Sequence, residues 1–257
     1  SDPESIEKEP VPIPVATALL DSSGNPVTAR LQGDSQAEAD EWMLELVESE
    51  QTFEFEGVQD RPIPSLLRDF SAPVRLKVQR DRETLAFLMA HETDPFNRWD
   101  AGHELASQLI LDLASRAQNG DELELDALYS QAFGRILSDG DLDGSLKALA
   151  LSLPPERILG QEMEIIDPEA LHTARTFMRR ELALAHLDEI ESLWESVHDT
   201  GPHSLDRAAI DGRRLSNSLL GYAIAAGSEK AIDRAAEQLA HSNNMTDSQA
   251  ALVCLLE

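Results

Sequence analysis

Cysteine is almost missing: Cys254 is the only one in 257 residues. No intrachain disulfide can form, so packing and hydrogen bonds must hold the fold, as suits a reducing compartment. Cys254 sits in the apolar run 250–256 and reads as a core residue rather than a reactive thiol. Long apolar runs are also lacking; none reaches the ~18 residues of a membrane-spanning helix. Basic residues are scarce, with 21 Lys and Arg against 48 Asp and Glu, a net charge of −27. Such a polyanion repels phosphate backbones and anionic lipid heads, which excludes nucleic acid and membrane surfaces as partners. The charge reads as a solvated acidic surface. No secretory signal opens the chain: Ser1 begins a polar stretch containing proline. A cytoplasmic location is the expectation, and a serine in place of Met implies a trimmed chain. Serine-hydrolase, P-loop and dinucleotide motifs are absent as well.

What is present is enough apolar residue, 42%, to build a core in one large or two modest domains. Residues 1–10 read as a polar leader. Residues 11–20 are apolar but contain Pro12 and Pro14, which predicts an edge strand, since proline cannot donate to a ladder. The run D-S-S-G-N-P at 21–26 predicts a turn. Trp42, Leu44 and Leu46 alternate with Glu41, Met43 and Glu45, and Phe53 and Phe55 with Thr52, Glu54 and Glu56. This period of two places one face in a core. A hairpin about Ser49 and Glu50 would join these runs, and residues 74–78 supply a last extended piece. Residues 11–79 thus predict a small antiparallel β-sandwich of immunoglobulin-like character, with few strands for a complete one.

From residue 80 onward the apolar spacing becomes three and four. Asp94-Pro95 predicts a helix start, with Phe96, Trp99, His103, Ala106 and Ile110 on or near one face. Asn119-Gly120 ends that helix. A second helix carries Leu125, Leu128, Phe133, Ile136 and Leu137. Asp167-Pro168 opens a stripe that runs for about 30 residues to Val197. Further helices start at Ser204 and Ser228, and T-D-S-Q at 246–249 predicts a capping box. The class is α+β, mostly α: a sandwich (11–79) followed by an irregular α-helical solenoid or bundle (80–257). The chain stops in an apolar helix with no polar cap. The helical domain is therefore expected to be C-terminally truncated, with self-association through its open end.

Candidate chemistry is thin. His91-Glu92 and His103-Glu104 open like the zinc motif HExxH, but Pro95 and Ser107 stand where the second histidine must be, and both fail. Trp42, Trp99 and Trp194 fall at predicted core positions, and the pairs Arg179-Arg180 and Arg213-Arg214 are expected to meet neighbouring acids. D-G-D-L-D-G at 139–144 matches the first half of an EF-hand loop. Asp139, Asp141 and Asp143 are a weak calcium candidate, because Ala150 replaces the bidentate acid at the twelfth position. The same residues read first as a polar interhelical turn whose aspartates cap the helix at 145–151.

Several stretches, in order, carry a resemblance. They are P-I-P-V-A-T-A-L-L-D at 12–21, Q-T-F-E-F-E-G at 51–57, the segment 62–76 with its core P-S-L-L-R-D-F-S-A-P-V, and D-P-F-N-R-W-D at 94–100. L-P-P-E at 153–156, I-D-P-E-A-L-H at 166–172, residues 213–222 and N-M-T-D at 244–247 follow. Together they resemble the C-terminal portion of the bacterial aminopeptidase N (alanyl aminopeptidase) family of gluzincin zinc metallopeptidases, over almost the whole chain. G-Q-E-M-E at 160–164 does not match the family's G-x-M-E-N motif. The resemblance implies the family's β-sandwich and part of its helical domain. It also implies that zinc, its ligands and the glutamate base belong to the parent enzyme upstream. No catalytic residue and no cofactor is expected in this chain. The expected partners are the parent's catalytic domain and, in the parent, peptides. The expected role is a lid and spacer, with Pro62, Pro64, Leu66, Leu67, Phe70 and Pro73 forming the domain junction. The competing expectation is a free-standing helical interaction module with a weak calcium turn.

Overall fold

The computed structural model describes residues 11–33, 38–199 and 201–256, so the expected leader at 1–10 lies outside the described residues. The chain divides into two compact units, residues 1–98 and 99–257.

The first unit contains β1 (Ile13–Leu20), β2 (Arg30–Leu31), β3 (Glu41–Leu46), β4 (Phe55–Glu56) and β5 (Ile63–Leu66). They form an antiparallel three-stranded sheet, β3-β1-β5, and an antiparallel pair, β2-β4. Trp42 and Leu44 of β3 point inward while Glu41, Met43 and Glu45 face water. They join Val15, Leu19 and Ala29 in a core that also takes Phe53, Phe55, Leu66 and Leu67. The 21–26 turn forms as expected. Asp21 Oδ1 accepts from the amide of Asn25 and then that of Ser23, which outweigh desolvation and hold its carboxyl below the ordinary value. Gly24 has φ +87°, and a Cβ there would lie 2.5 Å from His91 Cβ, so only glycine fits.

Three local expectations are corrected. β1 is the central strand, not an edge. Pro14 is tolerated because β5 pairs only from Thr17 onward, so on that side Pro14 has no neighbouring strand to serve. The runs 41–46 and 53–56 do not form a hairpin, because β3 pairs with β1 and β4 with β2. Their aromatic rings meet instead across the core, Trp42 edge-on to Phe55 at 4.7 Å. Residues 74–78 are not a strand; Val74, Leu76 and Val78 are exposed. The unit continues through α1 (Arg82–His91), capped by Asp81 on the Thr84 amide, into the start of α2 (Pro95–Asn119).

The second unit holds the rest of α2, α3 (Ala127–Ser138), α4 (Gly144–Ala150), α5 (Glu156–Leu159), α6 (Pro168–Ala185), α7 (Leu187–Val197), α8 (Arg207–Ala225), α9 (Glu229–His241) and α10 (Met245–Leu256). Asp126, Asp143, Asp167 and Ser228 cap α3, α4, α6 and α9 through their side chains. α8 is the hub, packing on α4, α6, α7, α9 and α10. Its Tyr222 ring lies edge-on to the fully buried Phe133 at 5.1 Å.

Two helical expectations are also corrected. The stripe from Asp167 to Val197 is two helices, broken at His186 (φ −126°, ψ 25°). No proline or glycine marks the break. The imidazole Nε2 lies within hydrogen-bond distance of both the hydroxyl and the carbonyl oxygen of Ser130, and a tertiary contact takes the place of a helix continuation. α10 begins at Met245 rather than at Thr246. Its cap is Asn244, whose Oδ1 accepts from the Asp247 amide at 3.0 Å. Leu252, Val253 and Leu256 on α10 are exposed. Among the described residues no helix is long and apolar enough to cross a membrane.

Two half-buried histidines of this unit make its stability pH-dependent. His198 stacks on Trp194 at 4.2 Å and His103 lies against Trp99 at 5.0 Å. Burial depresses both pKa values below 6.5, more than the nearby acids raise them. Near pH 6.5 and just below it the unfolded chain then binds more protons than the folded one, so stability falls as pH falls through that window. Chemical denaturation at pH 7.5 and pH ~5.5 should show a lower midpoint at the acidic value. His103→Gln with His198→Gln should shrink the difference; an undiminished difference would refute the assignment.

Candidate functional site

The acidic turn 139–144 follows α3 and opens α4. Asp139 Oδ1 accepts from the Asp141 amide at 2.9 Å. Asp143 uses Oδ1 to cap α4 through the Leu146 amide at 2.8 Å and Oδ2 to take Arg207 at 3.0 Å. Among the described residues no group of three or more His, Cys, Asp or Glu could hold a metal ion. Gly144 has a packing reason: a Cβ there would lie 2.5 Å from the backbone oxygen of Asp211 on α8. Next to it, Ser145 Oγ donates to Asp211, whose carboxylate also takes Arg207 Nε at 2.8 Å. The hydroxyl first, then the guanidinium, hold the Asp211 carboxyl below its ordinary value. The turn therefore docks α4 on α8.

The densest polar arrangement of the first unit is built around Arg68. One cross-strand row of the sheet reads Glu41, Ala18, Ser65, since Ala18 pairs with both outer residues. Residues paired in this way share a face. The Arg68 guanidinium reaches both ends of the row, Glu41 Oε2 at 3.3 Å and Ser65 Oγ at 3.1 Å, with only the Ala18 methyl between. It also donates to Glu92 Oε1 at 2.7 Å and to Thr93 Oγ1 at 3.0 Å. The Glu92 side chain is 0% exposed and that of Arg68 11%, so the pair is a desolvated one. Glu92 Oε1 further accepts from the Thr93 and Asp94 amides, whereas Oε2 is buried without a hydrogen bond.

Asp94 extends the arrangement. Its Oδ1 caps α2 on the Asn97 amide at 2.8 Å and its Oδ2 accepts from the Asp69 amide at 3.0 Å. Asn97 returns to the sheet through Ser65 Oγ and the Leu66 carbonyl. Arg98 is buried and donates to the carbonyls of Met89 and Ala90, closing the C-terminal end of α1. Leu67, Asp69 and Phe70 all have φ between 51° and 56°. Side chains avoid this left-handed region at about 1–2 kcal/mol per residue. Three such residues in four persist only because their surroundings hold them.

The expected junction residues distribute as follows. Pro64 lies exposed on β5, an edge strand, where a missing amide is tolerated. Pro62 precedes that strand and Pro73 follows the 3₁₀ turn at Arg68–Phe70. Leu66 and Leu67 pack on the sandwich core. The Phe70 ring lies tilted against that of Phe96, 4.1 Å between centroids, with both rings partly in water. In the sequence Ser65, Arg68 and Asn97 appear only within the resembling stretches, with no role attached, and Glu92 only within a failed zinc motif. A lone arginine inside a proline- and leucine-rich segment was the available signal.

The acid turn and the Arg68 joint can each be tested. Gly144→Ala should cost about 1–3 kcal/mol, as overpacking against backbone does. Asp141→Ala, whose side chain makes no such contact, should leave the unfolding midpoint nearly unchanged. Arg68→Met should cost about 3–5 kcal/mol by stranding buried Glu92. Urea unfolding followed by Trp42 fluorescence, in a chain carrying Trp99→Phe and Trp194→Phe, reads the latter loss, and adding Glu92→Gln should recover part of it. An additive double variant would refute the coupling.

Comparison with known proteins gives a consistent picture. Residues 82–257 match the family described as domain of unknown function (DUF3458_C) ARM repeats, and residues 1–79 match domain of unknown function (DUF3458) Ig-like fold. The chain is 32% identical over 250 residues to Aminopeptidase N of Escherichia coli (strain K12), covering 97% of this chain and 28% of that protein. Aminopeptidase N of Caulobacter vibrioides is 34% identical over 222 residues, 84% of this chain and 25% of its own. The crystal structure of Legionella pneumophila aminopeptidase A in complex with aspartic acid superposes with a TM-score of 0.75 at 30% identity, covering 96% of this chain and 28% of that one. The chain thus spans little more than a quarter of the length of these relatives.

Proposed function

The chain belongs to the DUF3458_C family of ARM-repeat domains, here preceded by the family's Ig-like companion, and from that premise we propose that it is the non-catalytic C-terminal part of a zinc-dependent aminopeptidase that removes N-terminal residues from peptides. The observation that carries this reading is the similarity to aminopeptidase N along 97% of the chain. Zinc and the groups that activate water would reside in the remainder of the parent. The described residues offer no cluster of metal-binding side chains, so no step of the hydrolysis is assigned to them. When bound in the parent, zinc would polarise the scissile carbonyl and lower the pKa of its water.

In this reading the helical unit is a lid that limits access to the parent's active site, and the sandwich sets its orientation against the catalytic domain. Peptides would be the parent's substrates and the cytoplasm its location. The junction of Pro62, Pro64, Leu66, Leu67, Phe70 and Pro73 would act as a stiff connection. The hydrogen bonds of Arg68 and Asp94 would stiffen that junction within the first unit. No observation favours the reading as a free-standing calcium-dependent module, because Asp143 already serves the α4 amide and Arg207.

The chain alone should not turn over an alanyl anilide with zinc added; turnover that survives purification would overturn the proposal. The lid role is tested in the full-length parent. Loosening the joint with Arg68→Met should raise kcat/KM for long peptides relative to an alanyl anilide. Unchanged size selectivity in a demonstrably destabilised joint would exclude the lid.

A further inference from the structure

In a chain of net charge −27, Arg75, Lys77, Arg80 and Arg82 place four of the 21 basic side chains within residues 75–82. Along the same stretch Val74, Leu76 and Val78 are 41%, 43% and 44% exposed, and Arg75 and Lys77 are exposed between them. Residues 75–79 have no regular structure and, among the described residues, no hydrogen bond. Apolar and basic side chains thus alternate with the period of a strand that has no neighbour. We propose that this segment adds as an antiparallel strand to the outer edge of β3 in a second copy of the chain.

The edge of β3 matches the segment in both pattern and charge. β3 ends the order β3-β1-β5, so its outer side carries no strand among the described residues. Trp42 and Leu44 are buried while Glu41, Met43 and Glu45 face water. Side chains directly opposite each other in a sheet share a face. With Arg75 opposite Glu45, Leu76 falls opposite Leu44, Lys77 opposite Met43 and Val78 opposite Trp42. The apolar side of the segment then extends the apolar row of β3, and Lys77 lies diagonal to Glu45. A slip of one residue would set Arg75 against Leu44 or Leu46 and turn its apolar side to water. This register leaves Glu41 to Arg68, its partner within one copy. Two segments paired with each other about Leu76 would instead bring Arg75 opposite Lys77, and like charges there repel. The edge of β5 is only four residues long and includes Pro64, which has no amide to donate. Two polyanions also repel overall, so a second copy is best seated where the minority sign is concentrated. Arg68, just upstream, reaches Glu41 at 3.3 Å, which puts the root of the segment near the β3 edge of its own unit. Two copies can therefore exchange segments reciprocally, and the exchange closes as a pair.

Such an interface stands on this chain's own residues, whether or not the parent is a peptidase. It is also distinct from the exposed face of α10. Sedimentation velocity over a concentration series tests it. The chain should dimerise with a dissociation constant of roughly 1–100 μM. Arg75→Glu with Lys77→Glu should weaken the dimer by about tenfold or more, because each side chain acts twice in a reciprocal pair. The unfolding midpoint of the dilute chain should stay unchanged, since neither side chain makes a hydrogen bond within one copy. Adding Glu45→Lys to that double variant should recover part of the affinity, a gain that damage to the fold does not produce. Leu252→Asp on α10 should leave the dimer intact. Amide exchange at 75–78 should slow as concentration rises. A monomer at every concentration, no recovery on adding Glu45→Lys, or a dimer broken by Leu252→Asp but not by the charge reversals would each overturn the proposal. Protection of 75–78 that is independent of concentration in the full-length parent would overturn it too, by assigning the neighbouring strand to the parent's own chain.

Discussion

The contact between Arg68 and Glu92 is the constraint on which the first unit depends. Neither side chain is stable there alone. Glu92 is fully desolvated, and Arg68 needs a counter-charge to remain so nearly buried. Their bond ties the end of β5 to the residue just after α1, and three left-handed residues lie within its reach. The strain at Leu67, Asp69 and Phe70 is tolerable because a side-chain acceptor waits for the Asp69 amide. That acceptor, Asp94, is also the cap of α2. A single carboxylate thus connects a strained turn to a helix start.

This geometry explains where the first unit ends. The matched families divide near residue 80, but the compact unit runs to Arg98. α1 and the opening of α2 stay with the sandwich because Asn97, Asp94 and Glu92 all bond back to residues 65–69. The two stretches P-S-L-L-R-D-F and D-P-F-N-R, each part of the resemblance, turn out to be each other's partners. Their separate appearance in the sequence reflects one polar cluster.

In the helical unit the same economy governs the acidic turn. Its aspartates have the spacing of a calcium loop, but one caps α4 and takes Arg207 from α8. Gly144 permits the close approach of the Asp211 backbone. Carboxylates are abundant in a chain of charge −27, so a pattern of alternating aspartates is weak evidence for a metal. Caps and interhelical hydrogen bonds use the same residues.

The sequence by itself determined the change from period two to period three and four, most helix starts and the turn at 21–26. These are local effects of side-chain alternation, capping and glycine or proline conformational preference, and they act within a few residues. It also carried the family, because ordered stretches of residues are linear information. The tertiary structure alone decided which strands pair, why Pro14 sits in a central strand, and why His186 interrupts a helix that its apolar stripe would continue. Pairing and breaks of this kind depend on partners 50 or so residues away, such as Ser130 for His186. The Arg68 cluster belongs to the same class. Its members are unremarkable polar residues until folding removes them from water together, and only then does each require the others.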